Sequence, residues 1–411
     1  VNKLVQKKNI PFGIFHNKDI TASKEIIKIF KNAKKNGLII TSQDEEIGLE
    51  GKTPDDFMEK RYSQKTLSIV DKIFTFGKYD TNYLLKKYPK FKSKIVNTGS
   101  PRFDFYKPFL LKKKKNKKKF ILISSNFGTV LERKRFWDRI DIERKAYFKE
   151  FNGSNEEERL YGEFSHTIFK IYKMIKLVRH LTNNYKKENF IFRPHPIESI
   201  KGWKILFGDI KNLQIVREGS LVDWINDSKV LIQSGCFSAI EASLIGKNII
   251  SFQPAFNEKF DKYFPSSLGF YCKTISDVDK KLSFCLKEKE KLKFFRNRNF
   301  NKVKKRLNFS ENKKSCFEII EIWNNLLKYA KLNKNLEISF GRQLYVKSIF
   351  FNFKSLLRKF IKNSNNDQDA KFPKLDIEDV KKKKIFLINK INLNKEIRIK
   401  QIDDYSCLLS L

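Results

Sequence analysis

The chain has 411 residues, enough for two ordinary domains and a tail. Its hydrophobic content of 40% and aromatic content of 14% exclude a disordered protein. The net charge of +40 would attract nucleic acid, anionic lipid or phosphorylated substrates, but a lysine-rich composition typical of AT-rich genomes explains the same excess. Charge alone therefore selects no partner.

The cysteines and the apolar runs limit the cellular setting. Five cysteines lack C-x-x-C spacing and only four histidines accompany them, a pattern that favours neither a zinc site nor a disulfide framework. No run approaches eighteen apolar residues, and the first thirty residues contain no signal-peptide core. We therefore expect a cytoplasmic protein. Because the chain begins with Val1 and shows no clear first strand, we also expect an N-terminally truncated fragment.

Short apolar runs alternate with helical periodicity along residues 1–330, which is the pattern of parallel α/β units. In residues 1–111 the predicted strands are 37–41, 72–77 and 94–99, and a helix begins near Tyr79. These units predict an N-terminal Rossmann-like domain. Residues 112–119 follow as seven lysines interrupted only by Asn116, and such a run of like charge is typical of a solvated linker.

A second α/β set occupies residues 120–332. Its predicted strands are 120–125, 190–193, 213–216, 230–232 and 248–252, and residues 155–185 are predicted to be helical. Strands this short and apolar indicate a sheet that helices cover on both faces. Two such domains place a cleft between them, at the carboxyl ends of the strands.

Residues 333–411 form a basic tail of different character. Apolar residues fall on one helical face there, while most of the lysines lie elsewhere. The apolar face consists of Val346, Ile349, Phe350, Phe353, Leu356, Leu357, Phe360 and Ile361. Segment 344–362 therefore predicts a basic amphipathic helix, which either docks on the inner face of the cytoplasmic membrane or packs on the second domain.

The strongest chemical signal lies between a buried strand and a helix that starts near Ser238. Ser234 and Gly235 form a small-residue turn, and the helix N-terminus can bind a phosphate group that Gly235 allows to approach closely. Glu241 lies one turn inside the helix, where its carboxylate could accept ribose hydroxyls. A structural alternative is that Ser238 and Glu241 form a capping box and Gly246 ends the helix.

A second basic turn ends another strand of the same domain. Two prolines flank His195 and fix its backbone, so that the imidazole points out of the strand end. Arg193 and His195 could then neutralise a leaving phosphate. A structural role for the histidine is the alternative.

Polar residues also follow the strands of the first domain. A carboxylate at a strand end could deprotonate an acceptor hydroxyl, although acidic loops are often only solvated. We regard Asp44, Glu45 and Glu46 as the candidate catalytic carboxylates. The further candidates are Arg102, Asp104, His16 and Lys18. A simple ion pair between Arg102 and Asp104 is the structural alternative for those two.

Together these motifs resemble the bacterial surface carbohydrate biosynthesis proteins. That group is related to the CDP-glycerol glycerophosphotransferases and capsule polysaccharide transferases of glycosyltransferase type B fold. The matching segments are 44–46, 76–77, 98–104, 193–196 and 234–242. The resemblance implies two Rossmann-like domains facing a central cleft, with an acceptor site on the first domain and a nucleotide-donor site on the second. It assigns the nucleotide to His195, Ser234, Ser238 and Glu241. It also implies a first strand and a glycine-rich loop that we do not find near the N-terminus.

The expected function is a metal-independent transfer of a sugar or polyol-phosphate group from a CMP-, CDP- or UDP-linked donor. The acceptor would be a surface polysaccharide or a lipid-linked molecule, and no cofactor is expected. A nucleotide-sugar 2-epimerase of the same fold is the alternative enzyme. A non-enzymatic RNA-binding protein is the alternative from another class, but the basic stretches lack interleaved aromatics, so we expect no nucleic-acid partner.

Overall fold

The computed structural model describes residues 13–106, 120–131, 154–288, 292–309, 314–328, 376–384, 398–403 and 406–410, apart from positions 19, 22, 47, 50–53, 379 and 383. Lysine run 112–119 and amphipathic segment 344–362 lie outside the described residues, so their predicted roles stay predictions. No helix in the described part of the chain is long and apolar enough to cross a membrane.

The first domain contains a parallel sheet of four strands in the order β1-β2-β3-β4. Its strands are β1 (Ile14–Asn17), β2 (Ile39–Ser42), β3 (Lys72–Phe74) and β4 (Ile95–Val96). Strands β2, β3 and β4 confirm the predicted runs. Strand β1 was not predicted, because a four-residue edge strand with only two apolar side chains gives almost no periodic signal.

The second domain contains six parallel strands in the order β10-β9-β8-β5-β6-β7. These are β5 (Ile121–Ser124), β6 (Phe190–Arg193), β7 (Leu213–Ile215), β8 (Val230–Gln233), β9 (Asn248–Phe252) and β10 (Phe270–Cys272). All the strands predicted for this domain are present, and β10 is additional. The strand order reverses between β5 and β8, and ligands of such sheets bind beyond the carboxyl ends at that reversal.

Helices connect these strands, as the alternating pattern predicts, and a short antiparallel pair ends the chain. The helices of the first domain are α1 (Lys24–Lys35), α2 (Pro54–Arg61), α3 (Gln64–Ile69), α4 (Lys78–Lys87) and α5 (Pro101–Asp104). Those that follow are α6 (Gly128–Leu131), α7 (Ser154–Asn184), α8 (Ile200–Phe207), α9 (Leu221–Asp227), α10 (Ser238–Ile245), α11 (Tyr263–Ser266), α12 (Ile275–Lys287), α13 (Leu292–Arg306) and α14 (Ser315–Lys328). The antiparallel pair is β11 (Arg398–Asp403) and β12 (Ser406–Ser410).

The second sheet is covered on both faces, because alternate residues of its strands enter different hydrophobic clusters. On β8, Val230 and Ile232 belong to a cluster confined to the second domain, whereas Leu231 belongs to one that continues into the first domain. The shared cluster contains Phe30 of α1 and Ile240 of α10, both buried. One of the two hydrophobic clusters is therefore common to both Rossmann-like domains, and the other belongs to the second domain alone.

After α13 the chain returns to the first sheet and packs closely on its loops. A side chain at Gly77 would meet the carbonyl oxygen of Arg306 at 2.0 Å, so only glycine fits there. Gly99, at φ +74°, would meet the carbonyl of Asn308 at 2.3 Å. Asp104 then accepts the N–H groups of Ser315 and Cys316 at 3.1 and 3.0 Å, at the start of α14. Segments 76–77 and 98–104 thus hold the returning chain.

Candidate functional site

The predicted phosphate-binding turn lies at the reversal of strand order, directly beyond β8. Gly235 adopts φ +72°, a left-handed conformation that glycine tolerates without strain. The side chain of Gln233 accepts the N–H of Cys236 at 2.8 Å and closes the turn. Asn126, which follows β5, donates to the carbonyl of Gly235 at 3.1 Å. The ends of β5 and β8 are therefore tied together at the point where a ligand would bind.

Three hydroxyl groups at this turn have no hydrogen-bond partner among the described residues. They belong to Ser234, Ser238 and Ser266, which are 4%, 0% and 1% exposed. A buried hydroxyl left without a partner costs about 1–3 kcal/mol, so native proteins rarely retain one without a reason. Three such hydroxyls beside the N-terminus of α10 suit an anionic group that would accept hydrogen bonds from them.

The capping box expected at Ser238 and Glu241 is absent, which corrects that alternative. Phe237 is the N-cap of α10 and provides no side-chain cap, and the hydroxyl of Ser238 has no partner in the described part of the chain. The predicted helix end is confirmed, because Gly246 adopts φ +74° and its N–H bonds back to Ala242 and Ser243.

His195 lines the same site from the end of β6. Its backbone N–H donates to the hydroxyl of Ser125 at 3.2 Å, and its Nδ1 accepts the N–H of Ile197 at 3.4 Å. A neutral imidazole in this position carries its proton on Nε2 and can donate it to a phosphate oxygen.

Glu198, which was not among the predicted site residues, organises this turn. Its buried carboxylate accepts the Ser125 hydroxyl at 2.7 Å, the N–H of Phe127 at 2.7 Å and the indole N–H of Trp203 at 2.8 Å. Burial raises the pKa of Glu198, although these hydrogen bonds oppose the rise. Through Ser125, Glu198 fixes the backbone of His195. A single carboxylate on a turn gives no sequence signal for such a role.

Arg193 has a different environment from the one predicted. Its guanidinium donates to the carbonyls of Glu218 at 2.9 Å and Gly219 at 2.8 Å, in the loop after β7. It would have to leave these carbonyls to neutralise a leaving phosphate.

Glu241 is buried at the domain boundary and is bound by the first domain. Its Oε1 accepts hydrogen bonds from Arg102 Nη2 at 2.6 Å and from the Tyr106 hydroxyl at 2.5 Å. The Arg102 guanidinium also lies 4.5 Å from the centre of the Phe237 ring, as in a cation–π contact. The second carboxylate oxygen, Oε2, is buried without a partner among the described residues. The expected pairing of Arg102 with Asp104 is wrong, because Arg102 binds Glu241 and Asp104 binds the start of α14.

The acidic loop after β2 contains one buried and two exposed carboxylates. Asp44 is bound in bidentate fashion by Arg61, at 2.7 and 2.9 Å. It also accepts the N–H of Glu46 at 2.9 Å, so it holds the loop in place. Glu45 and Glu46 are exposed. The loop contacts the second domain, since a side chain at Gly48 would lie 3.1 Å from Ile240.

The two early candidates lie beside this loop, at the carboxyl end of β1. His16 Nδ1 is 2.9 Å from the hydroxyl of Thr41, and its ring centre is 5.4 Å from that of Trp323 on α14. Lys18 is exposed, and its carbonyl accepts the N–H of Glu45 at 3.4 Å. The structure therefore gathers His16, Lys18 and Glu45 at one edge of the first sheet, while His195, Ser234 and Gly235 meet in the second domain.

A pocket of about 220 Å³ adjoins the phosphate-binding turn. His195, Ser234 and Gly235 form one wall of it, and α7 with the loop after β9 forms the other. The second wall contains Glu163, His166, Lys170, Asp261 and Lys262, none of which was among the predicted site residues. His166 and Lys170 are four residues apart and share one face of α7, but nothing in the sequence links them to Asp261.

The second wall is built around an ion pair that is almost completely buried. Asp261 accepts hydrogen bonds from the ammonium group of Lys170 and, at 2.7 Å, from His166 Nε2. Burial lowers the pKa of Lys170, and Asp261 opposes that effect. Burial by itself would raise the pKa of Asp261, but the His166 hydrogen bond and the Lys170 charge outweigh it and lower that pKa. Asp261 is therefore an ionised carboxylate beside the pocket.

Known proteins resemble this chain in fold and not in sequence. No protein-family model matches the chain, and no curated protein matches it in sequence. Among solved structures, it is similar to the UDP-GlcNAc 2-epimerase of Methanocaldococcus jannaschii in complex with UDP-GlcNAc and UDP, with 14% identity, a TM-score of 0.46 and coverage of 79% of this chain and 78% of that one. It is also similar to a UDP-GlcNAc 2-epimerase from Neisseria meningitidis bound to UDP-GlcNAc, with 11% identity, a TM-score of 0.45 and coverage of 78% of each chain. A glycosyltransferase from Rickettsia africae is similar to it with 15% identity, a TM-score of 0.39 and coverage of 80% of each chain. At such identities the likeness does not extend to substrate or activity.

Proposed function

We propose that the protein is a transferase that moves a sugar or polyol-phosphate group from a nucleotide-activated donor to a surface polysaccharide or lipid-linked acceptor. The observation that carries this proposal is a set of three buried hydroxyls, at Ser234, Ser238 and Ser266 beside the N-terminus of α10, for which the described part of the chain supplies no hydrogen-bond partner. An anionic phosphate is the ligand that satisfies such donors and also benefits from the helix dipole.

Residues around this turn would bind the other parts of the nucleotide-activated donor. In this proposal the phosphates lie at the α10 N-terminus, and His195 Nε2–H donates to the phosphate that leaves. Oε2 of Glu241, which has no partner among the residues that the structure describes, accepts a ribose hydroxyl. The transferred group enters the pocket between His195 and α7, whose volume of about 220 Å³ suits one sugar ring or a polyol phosphate.

In this proposal the protein itself stabilises the negative charge on the leaving group. Negative charge develops on the departing phosphate in the transition state, where oriented N–H and O–H donors are worth more than in water. The first turn of α10, the serine hydroxyls and His195 supply those donors, so the proposed reaction needs no metal ion.

A nucleotide-sugar 2-epimerase is the second candidate, because the pocket holds the acid–base groups His166, Lys170 and Asp261 where a sugar ring would lie. We favour the transferase, since the basic tail predicted for residues 333–411 would serve an enzyme whose acceptor is held at a membrane.

Reaction in deuterium oxide separates the two candidates. UDP-N-acetylglucosamine, a CMP-linked sugar and CDP-glycerol are incubated with the protein, with and without a crude lipid-linked acceptor fraction, and the products are followed by NMR. A transferase releases UDP from UDP-N-acetylglucosamine, or CMP from the CMP-linked sugar or from CDP-glycerol, only when the acceptor is present, and it leaves the C2 hydrogen in place. Exchange of the C2 hydrogen for deuterium without acceptor would establish the epimerase instead.

A further inference from the structure

The pocket beside the phosphate-binding turn contains a histidine oriented by a carboxylate. His166 lies on α7 and Asp261 in the loop after β9, and His166 Nε2 is 2.7 Å from Asp261 Oδ2. The His166 side chain is 12% exposed, and it lines the pocket together with His195 and Ser234. The pair therefore stands opposite the groups that would bind the leaving phosphate.

The hydrogen bond to Asp261 selects the tautomer of His166. An ionised carboxylate only accepts hydrogen bonds, so the proton of a neutral imidazole resides on Nε2 and Nδ1 keeps its lone pair. Within the described residues, no hydrogen-bond partner occupies Nδ1. In serine hydrolases a carboxylate bonded to Nδ1 orients the histidine and leaves Nε2 as the proton acceptor; here Asp261 bonds Nε2, so the two ring nitrogens exchange these roles.

Neighbouring residues hold the Asp261 side chain in the position from which it bonds His166. Besides His166 it binds Lys170 and accepts the N–H of Asn257 at 2.8 Å. A side chain at Gly162 would lie 2.8 Å from the Phe260 ring, so glycine at this point of α7 allows the loop to approach. The His166 ring then packs on Phe260, with ring centres 5.7 Å apart.

We propose that His166 is the general base of the transfer reaction. This inference rests on the proposed function and deepens it. His166 Nδ1 removes the proton from the acceptor hydroxyl as its oxygen bonds to the transferred carbon or phosphorus atom. The bond from that atom to the leaving oxygen breaks, and its electron pair departs with the nucleotide phosphate, which His195 and the serine hydroxyls stabilise. The imidazolium is stabilised by Asp261 and later loses its proton to water.

The titratable groups that line the pocket with His166 are Glu163, Lys170, His195, Asp261 and Lys262. General-base catalysis requires a neutral imidazole, so the rate of transfer should rise with pH.

The test compares two histidine variants of the same helix. His180 also bonds a carboxylate through Nε2, at 2.8 Å from Asp279 Oδ2, but it does not line the pocket. His166→Gln should lower acceptor-dependent nucleotide release by about 10²- to 10⁴-fold, abolish the rise of rate with pH, and leave nucleotide affinity in calorimetry unchanged. His180→Gln should change none of these. Imidazole added to His166→Ala should restore part of the lost rate, which a merely structural residue would not allow.

Two outcomes separate the inference from the function on which it rests. If the wild type transfers and His166→Gln keeps its rate and pH profile, His166 is not the base although the transferase proposal stands. If the wild type binds no nucleotide, both fail. Nitrogen-15 NMR of the four histidines adds a check that needs no substrate. A neutral His166 with its proton on Nδ1 would overturn the inference whatever the activity.

Discussion

Arg102 of the first domain donates two hydrogen bonds to the same oxygen of Glu241 in the second, from Nε at 3.1 Å and from Nη2 at 2.6 Å. The two residues are 139 positions apart, and Glu241 is 1% exposed. The contact therefore joins the domains at the carboxylate proposed to bind ribose.

Removing the Arg102 charge should destabilise the protein. Arg102→Met leaves the buried Glu241 carboxylate with Tyr106 alone, and we expect the free energy of unfolding to fall by about 1.5–3 kcal/mol, as for hydrogen bonds to charged groups. Urea denaturation measures it. Lys87→Met is the control, since Lys87 and Glu59 pair at 2.7 Å but are both half-exposed, and such pairs contribute about 0–1 kcal/mol. Equal losses in the two variants would show that the Arg102 contact has no special weight.

Changing Glu241 itself separates binding from stability. Glu241→Gln keeps an oxygen for Arg102 and Tyr106 but removes the charge that would attract ribose hydroxyls. The binding free energy of the nucleotide should weaken by more than the free energy of unfolding falls. That fall should be no larger than the about 1.5–3 kcal/mol expected for Arg102→Met, because Gln keeps an oxygen for both donors. Calorimetry and urea denaturation of one preparation measure both, and unchanged affinity would leave Glu241 as an interdomain contact only.

His195→Ala should reduce turnover without unfolding the protein. Losing one donor at a developing phosphate charge typically costs about ten- to a thousand-fold in rate. The melting temperature should stay nearly the same, because the backbone of residue 195 keeps its bond to Ser125 and the contact of the ring with the Ile197 N–H is long, at 3.4 Å. A variant that melts far below the wild type would make His195 a structural residue.

The strands and the site differ in how far the sequence predicts them. Buried runs such as 230–232 carry their own periodic signal, and the turn at Ser234 follows from the strand before it. His166 and Asp261 meet across 95 positions, and their contact depends on how α7 lies on the sheet. Local patterns contain no information on such pairs, so the second wall of the pocket and the Arg102–Glu241 contact emerge only in three dimensions.

Glu198 should give the stability of the protein a defined pH dependence. Burial raises its pKa above the ordinary value of 4.5, so the folded state holds the proton more tightly than the unfolded state. As pH rises through the window above 4.5, the wild type should lose stability that Glu198→Gln does not lose. Urea denaturation of both proteins from about pH 4 to about pH 8 measures the difference. A wild-type advantage that grows with pH would contradict the assignment.

The tail predicts binding to anionic membranes. Lysines of segment 344–362 near an anionic surface contribute about 1 kcal/mol each, and the apolar face would enter the acyl chains. Full-length protein should co-sediment with anionic but not with neutral vesicles, and a chain ending at Asn335 should bind neither. Binding that ignores lipid charge, or that survives the truncation, would exclude this role for the tail.

The most direct test of the proposed site is calorimetric titration of CMP, CDP, UDP and GDP into three proteins: the wild type, Ser238→Ala and Ser243→Ala. Both serines lie on α10 and are buried, but the Ser243 hydroxyl donates to the carbonyl of Ala239 at 2.8 Å, whereas the Ser238 hydroxyl has no partner among the described residues. We predict that one nucleotide binds the wild type and Ser243→Ala equally, and that Ser238→Ala weakens it by about tenfold or more, as loss of a hydrogen bond to a charged group does. Binding of no nucleotide, or equal binding by all three proteins, would contradict a phosphate site at the start of α10.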